Sequence, residues 1–197
     1  MSGVVAIILA AGESTRMEFP KMLLDFNGMS MLECVITNVG ESKVDDILVV
    51  LGAYRDELEK IVSKTSAACC YNDNYKEGML SSVKCGFRNL PSGAEAVLVF
   101  QGDQPLITSK VINKVVEAFR NSNKGIIIPV HKNHRGHPLM ISKKYFREIE
   151  KLYPDESLRS LSRKFQYDVY EVGTDEAGIL RDFDTFEEYK NEINQIQ

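Results

Sequence analysis

The sequence predicts an α/β fold in which a mostly parallel sheet is flanked by helices. Short, uninterrupted apolar runs recur along the chain, and such runs are typical of strands buried on both faces of a parallel sheet. Between these runs, apolar residues repeat at the spacing of an amphipathic helix. Strands that alternate with helices in this way are joined by right-handed crossovers, which produces layers of helices on a sheet.

The elements follow one another in a regular order through the first two thirds of the chain. Five apolar runs predict buried strands, at residues 4–9, 47–51, 67–71, 96–100 and 126–130. Four helices are predicted, at residues 31–39 and 54–62, from near Ser81 or Ser82, and at 111–119 with Thr108 as N-cap. The last third is less regular and predicts a strand at 139–142, a helix at 143–152, a strand at 168–172 and a helix at 186–193.

Length and composition indicate an ordinary globular protein. With 197 residues, 44% of them hydrophobic and 26% charged, and with no linker rich in proline or glycine, residues 1–197 predict a single domain. The net charge of −4 and the scattered basic residues argue against a nucleic-acid-binding face. The apolar run at 4–11 is too short to span a membrane and lacks the basic region of a signal peptide. The expectation is a reduced, cytoplasmic protein without a membrane or nucleic-acid partner.

A small-residue loop after the first strand is the first candidate site. It begins with Leu9, Ala10, Ala11 and Gly12. In open α/β sheets, ligands bind beyond the carboxyl ends of the strands. Small residues in such a loop let the backbone N–H groups approach an anion closely. Arg16 and Lys21 follow and supply positive charge. The loop therefore predicts a site for the phosphates of a nucleoside triphosphate, with Arg16 and Lys21 as catalytic cations.

Other phosphate-binding patterns do not match this loop. The chain has neither G-x-x-x-x-G-K-[ST] nor G-x-G-x-x-G at this position, which excludes a Walker A loop and a dinucleotide-binding fingerprint. Glycine and alanine alone would also fit a plain turn between a strand and a helix. The full string Leu-Ala-Ala-Gly-x-Ser-x-Arg-Met-x-x-Pro-Lys is improbable by chance and favours the phosphate site.

An acidic residue follows a second strand. Gly102 and Asp103 come directly after the run at 96–100, so Asp103 is expected at the same edge of the sheet as the phosphate loop. A carboxylate there can hold Mg²⁺, which binds through one or two carboxylates together with substrate phosphates. A turn role for Asp103 between Gly102 and Pro105 is the alternative.

The loop string also resembles a known signature. It is similar to L-A-A-G-x-S-x-R-M-G-x-P-K of the molybdenum-cofactor cytidylyltransferase group, within the glycosyltransferase-A-like nucleotidyltransferases. Four further segments resemble motifs of the same group in the same order, beginning at Asn72, Gly102, Arg135 and Asp182. In the sequence they read N-x-x-Y-x-x-G-M-x-S-S, G-D-Q-P, R-G-H-P and D-F-D-T, and the resemblance extends along nearly the whole chain.

The resemblance implies a Rossmann-like, three-layer nucleotidyltransferase that moves a nucleoside monophosphate onto a small phosphorylated acceptor and releases pyrophosphate. It implies that the nucleotide is bound by Leu9, Ala10, Ala11, Gly12, Arg16, Lys21, Ser81, Ser82 and Gly102. It further implies that Asp103 and Asp184 hold Mg²⁺, with Asp182 as an alternative second ligand, and that His137 lines the acceptor pocket.

The sequence indicates the donor and the acceptor less specifically than the reaction class. Ala11, in Ala-Ala-Gly rather than Ala-Gly-Gly, favours CTP as donor, and the group implies molybdopterin or its molybdenum form as acceptor, with a molybdoenzyme or chaperone as protein partner. The chain departs from the group at Glu18, where the signature has glycine, and at Tyr75, where it has tryptophan. A sugar or polyol phosphate acceptor therefore stays open, as does a catalytically silent nucleotide-binding protein.

Overall fold

A mixed sheet of eight strands forms the middle layer of the computed structural model, which describes residues 3–15, 17, 19–183 and 185–196. The strands are β1 Gly3–Ala10, β2 Asp25–Phe26, β3 Met29–Ser30, β4 Asp46–Leu51, β5 Ala68–Tyr71, β6 Ala94–Gln101, β7 Ile126–His131, β8 His134–Arg135, β9 Leu139–Ser142 and β10 Val169–Gly173. The sheet runs in the order β10-β7-β9-β6-β1-β4-β5, with β8 paired to β7, while β2 and β3 form a separate hairpin.

The strand directions confirm the predicted fold class, with two strands, β8 and β9, reversed. β1 pairs in parallel with β4 and β6, and β5 and β10 are parallel to their neighbours. β9 lies antiparallel between β6 and β7. The apolar run that predicts β9 does not distinguish these directions, because a strand buried on both faces has the same composition in either direction.

Helices cover both faces of the sheet. They are α1 Met31–Gly40, α2 Arg55–Val62, α3 Met79–Arg88, α4 Ser109–Asn121, α5 Phe146–Glu150, α6 Leu158–Lys164 and α7 Phe186–Ile196. The side chains of α1, α2 and α4 share one apolar cluster, and those of α3, α5 and α6 share the other. The hydroxyl of Thr108 accepts a hydrogen bond from the Val111 N–H, which confirms the predicted N-cap of α4.

The C-terminal third departs from the sequence prediction in its helices. The predicted single helix at 143–152 is wrong in extent, because a 3-10 turn at Lys143–Tyr145 precedes the five-residue α5. Helix α6 was not predicted, since only Leu158 and Leu161 repeat at helical spacing there. Ser157 starts α6 as a capping box with Ser160, which is the local signal for this helix.

The central strand β1 explains where a site can form. Its side chains alternate between the two clusters, with Ala6 and Ile8 on the side of α1 and α4, and Ile7 and Leu9 on the side of α3. Both faces of the strand are thus buried, and the first backbone groups free to meet a ligand come after its carboxyl end. None of the helices in the described ranges combines the length and hydrophobicity that a membrane-spanning helix needs.

Candidate active site

A cavity of about 220 Å³ lies beyond the carboxyl ends of β1 and β6, on the side of the sheet that α3 covers. Six of the residues that the sequence singles out border it: Leu9, Ala11, Gly12, Lys21, Ser82 and Asp103. The strand-end rule for open α/β sheets therefore brings together a loop, a helix start and a carboxylate that are far apart in the sequence.

An ion pair stands at the centre of this cavity. The Lys21 ammonium donates a hydrogen bond to Oδ2 of Asp103, and Asp103 is only 3% exposed. The other carboxylate oxygen, Oδ1, is buried and has no hydrogen-bond partner among the described residues. A buried oxygen that carries charge and lacks a partner is costly, so Oδ1 is a position where a cation or a donor group would be stabilised.

Ser14 positions Lys21. This role was not assigned to Ser14 from the sequence. The Ser14 hydroxyl accepts a hydrogen bond from the Lys21 N–H at 3.1 Å, and the Met17 N–H donates to the Ser14 carbonyl at 2.8 Å. Ser14 also has a positive φ of 53°, which turns the loop back on itself. The serine of the matched string was the available signal, and its role is to fold the loop that presents Lys21.

Two glycines at this edge have opposite surroundings. A Cβ placed on Gly12 would have nothing within 4 Å, so neither packing nor an unusual φ requires glycine there. A Cβ placed on Gly102 would lie 2.9 Å from Sδ of Met22, and the Gly102 N–H donates to the Leu9 carbonyl at 2.9 Å. Gly102 therefore serves the packing of β6 on β1, whereas the open space at Gly12 faces the cavity.

The remaining described residues that are predicted to bind the nucleotide are Ala10, Ser81 and Ser82. The Ala10 side chain is buried in the cluster on the α1 side of the sheet, so only its backbone can contribute. The Ser81 hydroxyl accepts a hydrogen bond from Nδ2 of Asn72 at 2.8 Å and is 2.8 Å from the Gly78 carbonyl. Ser82 borders the cavity and accepts from the same Asn72 amide at 3.0 Å. Asn72 thus ties the end of β5 to the first turn of α3.

Three residues of the sequence analysis, Arg16, Glu18 and Asp184, lie outside the described residues. Asp182 is exposed, next to Phe183, whose buried ring lies 6.0 Å from that of Phe26. Across the described ranges, no group of three His, Cys, Asp or Glu side chains is arranged to hold a metal. A metal at Asp103 would therefore need ligands from substrate phosphates, water or the undescribed residues, a pattern that suits Mg²⁺.

A second cavity of about 330 Å³ adjoins the first and shares Leu9, Met79 and Gln101 with it. His137 borders this second cavity, and Arg159 borders it from the first turn of α6. The aliphatic part of the wall consists of Leu9, Leu80, Val83, Val99 and Leu158. Nε2 of His137 lies 3.2 Å from Nε2 of Gln101, a contact that no sequence pattern indicates.

The sequence of the chain matches a defined family. The sequence model of the MobA-like NTP transferase domain matches residues 6–169, which include the phosphate loop, Asp103 and His137. The chain belongs to this family. The predicted enzyme class, nucleotidyltransferase, is thereby confirmed.

Similar proteins match nearly the whole length of the MobA-like chain. The molybdenum cofactor cytidylyltransferase of Escherichia coli K12 is 28% identical over 190 residues, which is 96% of this chain and 95% of the relative. A crystal structure of the Rv0371c homolog from Mycobacterium sp. strain JC1 superposes with a TM-score of 0.87 at 26% identity, covering 98% of this chain and 96% of that one. A manganese complex of Rv0371c from Mycobacterium tuberculosis H37Rv has a TM-score of 0.83 at 20% identity, with 98% coverage of both chains, and shares the fold.

The environment of His137 lowers its pKa below the ordinary value of 6.5. Burial is the main cause, and the positive charge of Arg159 adds to it, while the Val99 backbone and the Asp103 carboxylate act in the opposite direction. The ring is therefore neutral at pH 7 in this MobA-like protein.

We expect acidification to destabilise the protein through His137. Between the ordinary pKa of 6.5 and the lower folded value, the unfolded chain binds the proton more readily, so stability falls as the pH falls through that window. Urea midpoints between pH 7 and pH 5 should fall less in His137→Gln, which cannot titrate, than in the wild type. Equal slopes for the two proteins would contradict the lowered pKa.

Proposed function

We propose that this nucleotidyltransferase moves CMP from CTP onto a small phosphorylated acceptor and releases pyrophosphate, with molybdopterin or its molybdenum form as the favoured acceptor. The observation that carries the proposal is the buried Lys21–Asp103 pair beside the open space at Gly12, in a cavity at the carboxyl ends of two central strands. The small residues admit phosphates, Lys21 attracts them, and Asp103 provides a site for their counter-ion.

The residues at Asp103 fit a divalent cation. Oδ1 is buried, charged and without a partner in the described part of the chain, and hard cations such as Mg²⁺ prefer carboxylate oxygens. We assign Asp103 as one ligand and Asp184 as the other. When bound, the cation would neutralise charge on the triphosphate. Lys21, which the structure pairs with Asp103, would then be directed to the phosphates.

The chain's own residues supply positioning and charge for the transfer. The acceptor phosphate attacks the α-phosphorus of CTP in line with the departing pyrophosphate, and Arg16 and Lys21 stabilise the negative charge on the phosphoryl oxygens. Reactions of this type are accelerated mainly by positioning and electrostatics. A phosphate monoester is already ionised near neutral pH, so the attacking oxygen needs no general base.

The identity of the donor rests on two observations. The loop reads Ala-Ala-Gly at residues 10–12, which resembles the cytidylyl rather than the guanylyl branch of the group. The Escherichia coli relative that covers 96% of this chain is a cytidylyltransferase by name. Both favour CTP, and Ala11 and Gly12 of that string border the first cavity.

The second cavity favours a flat heterocyclic acceptor over a sugar phosphate or a polyol phosphate. Five aliphatic side chains contribute to its wall, and every sugar or polyol hydroxyl placed against them would lose a hydrogen bond to water without replacement. A flat heterocycle buries its faces against such a wall and makes polar contacts at its edge only. Arg159, on the same wall, suits the anionic group of the acceptor.

A pyrophosphate-release assay tests the function. CTP, GTP, ATP and UTP are each incubated with molybdopterin, a sugar phosphate or a polyol phosphate in the presence of Mg²⁺, and the products are weighed by mass spectrometry. Release with CTP and molybdopterin, together with a cytidylylated product, is the expected result. Release with another acceptor alone would overturn the acceptor, and triphosphate binding without release would indicate a silent nucleotide-binding protein.

Replacing Gly12 separates ligand binding from folding. We expect Gly12→Val to raise the KM for CTP at least about 10-fold, because its side chain would occupy the space left for phosphates. Its thermal midpoint should stay near that of the wild type, since a Cβ there meets nothing within 4 Å. Gly52→Ala is the matched contrast, because its Cβ would lie 2.8 Å from the Ala11 carbonyl and should cost stability. A fall in midpoint for Gly12→Val as large as that for Gly52→Ala would contradict the phosphate interpretation.

A further inference from the structure

Gln101 occupies the boundary between the two cavities. It is the last residue of β6, it pairs in register with Leu9, and its side chain borders both the nucleotide cavity and the second cavity. Asp103 follows two residues later. The two cavities share Gln101 with Leu9 and Met79, so an acceptor that extends from the second cavity to the nucleotide would pass these three residues, of which Gln101 alone has a polar side chain.

His137 determines which way the Gln101 amide faces. The two side chains meet through Nε2 of Gln101 and Nε2 of His137, at 3.2 Å. The amide nitrogen of Gln101 carries hydrogens and no free lone pair, so it is the donor in this contact and Nε2 of the neutral ring is the acceptor. The ring proton is then on Nδ1, which is buried and has no hydrogen-bond partner among the described residues.

The His137 ring is held in place by its backbone. The His137 N–H donates to the Ile179 carbonyl at 2.9 Å, and the N–H of Gly136 donates to the Pro129 carbonyl at 2.9 Å. A Cβ on Gly136 would clash with the Ile179 carbonyl, so this close approach of the two backbone segments requires glycine. With the ring fixed and the NH₂ of Gln101 engaged, the amide oxygen Oε1 points away from His137. Among the described residues, nothing donates a hydrogen bond to Oε1.

We propose that Gln101 selects the acceptor: its Oε1 accepts a hydrogen bond from an N–H or O–H group that the acceptor carries close to its reacting phosphate, and His137 positions that oxygen. The proposal rests on the proposed function and adds its specificity-determining residue. His137, which the resemblance assigns to the acceptor pocket, then acts through Gln101 as a positioning residue.

The surroundings explain why this one oxygen has a large influence. The wall of the second cavity also includes Glu156 and Ser157, but of the three residues there with side-chain oxygens only Gln101 borders the first cavity too, where the reacting phosphate would lie. A site built to hydrogen-bond a substrate group discriminates strongly against molecules that lack it, because the group in the protein is then left unpaired. In the proposed function the phosphates of the nucleotide occupy the first cavity, which Gln101 also borders.

Steady-state kinetics of two glutamine variants test the role of Gln101. Gln101→Met has the same side-chain length but no amide, and it should raise the KM for molybdopterin about 10-fold while the KM for CTP changes less than about 2-fold. Gln166→Met is the matched control, since Gln166 is exposed in the turn before β10, away from both cavities. An unchanged acceptor KM in Gln101→Met, or a larger rise in the KM for CTP, would overturn the proposal.

Variants of His137 test whether it acts through Gln101. His137→Leu removes the acceptor of the amide and should raise the acceptor KM like Gln101→Met, whereas His137→Gln, whose carbonyl can replace Nε2, should restore most of it. The double variant Gln101→Met/His137→Leu should be no worse than either single one, because both remove the same contact. Additive effects, or His137→Gln as impaired as His137→Leu with both proteins folded by urea titration, would show that His137 does not act through Gln101.

The outcome also separates this inference from the proposed function. If the wild type releases pyrophosphate from CTP and the acceptor KM is insensitive to Gln101→Met, the function stands and only the role of Gln101 is wrong. If the wild type releases none with any of the three acceptor types, the proposed function fails and this inference fails with it.

Discussion

Replacing Asp103 by asparagine should lower turnover with CTP about 10³-fold, the size expected when a fixed charge at a phosphoryl-transfer site is removed. Asparagine keeps the shape and one carbonyl oxygen of the side chain but loses the charge that would hold Mg²⁺ against the triphosphate. The loss should be accompanied by a higher Mg²⁺ concentration at half-maximal activity. Both quantities come from the same pyrophosphate-release assay over a Mg²⁺ series.

The stability of the Asp103→Asn protein distinguishes a catalytic role from a structural one. Asp103 is 3% exposed, and asparagine removes the buried charge at Oδ1 while its amide oxygen can still accept a hydrogen bond from the Lys21 ammonium. Because Lys21 loses its counter-charge at the same time, the two effects oppose each other and the urea midpoint should stay close to that of the wild type. Asp175→Asn, at an exposed position, is the matched control and should alter neither activity nor midpoint. A large loss of activity with an equally large fall in midpoint would indicate that Asp103 serves the fold.

The buried strands could be predicted from the sequence because an uninterrupted apolar run is enough to indicate a strand that is buried on both faces. β1, β4, β6 and β7 each consist of an apolar run that is buried on both faces, and their observed bounds lie close to the predicted ones. The place of β9 in the sheet, between β6 and β7, and its antiparallel direction could not be predicted in this way. They depend on which existing strands its backbone pairs with, a long-range property that the residues of a short apolar run do not record.

The parts of the site that could be predicted from the sequence are the charged residues that follow a strand. The contacts between its uncharged side chains could not be predicted. Lys21 and Asp103 are 82 residues apart, yet each follows a predicted strand, so the strand-end rule brought them to one edge of the sheet. The contact between Gln101 and His137 has no such signal, because Gln101 is uncharged and the ring is oriented by the Ile179 carbonyl from a distant turn. Hydrogen bonds of neutral side chains depend on local geometry that appears only once the chain is folded.

Replacing Lys21 by methionine should lower kcat/KM for CTP about 10³-fold, because the ammonium would contact the triphosphate most strongly as pyrophosphate departs. Lys60→Met, on the exposed side of α2, is the matched control and should leave kcat/KM unchanged. Lys21→Arg keeps the charge but not its point-like geometry and should recover only part of the activity.

The same variant should cost stability, in contrast to Asp103→Asn. Without the ammonium, the Asp103 carboxylate stays buried with its main counter-charge removed, and we expect a loss of about 1–3 kcal/mol in the free energy of unfolding. The double variant Lys21→Met/Asp103→Asn should regain most of that stability, because no charge is left buried, and should remain inactive. Urea titration of the four proteins measures the coupling. If the double variant is as unstable as Lys21→Met, the pair contributes packing rather than charge, and Lys21 would not be available to move from Asp103 to the phosphates.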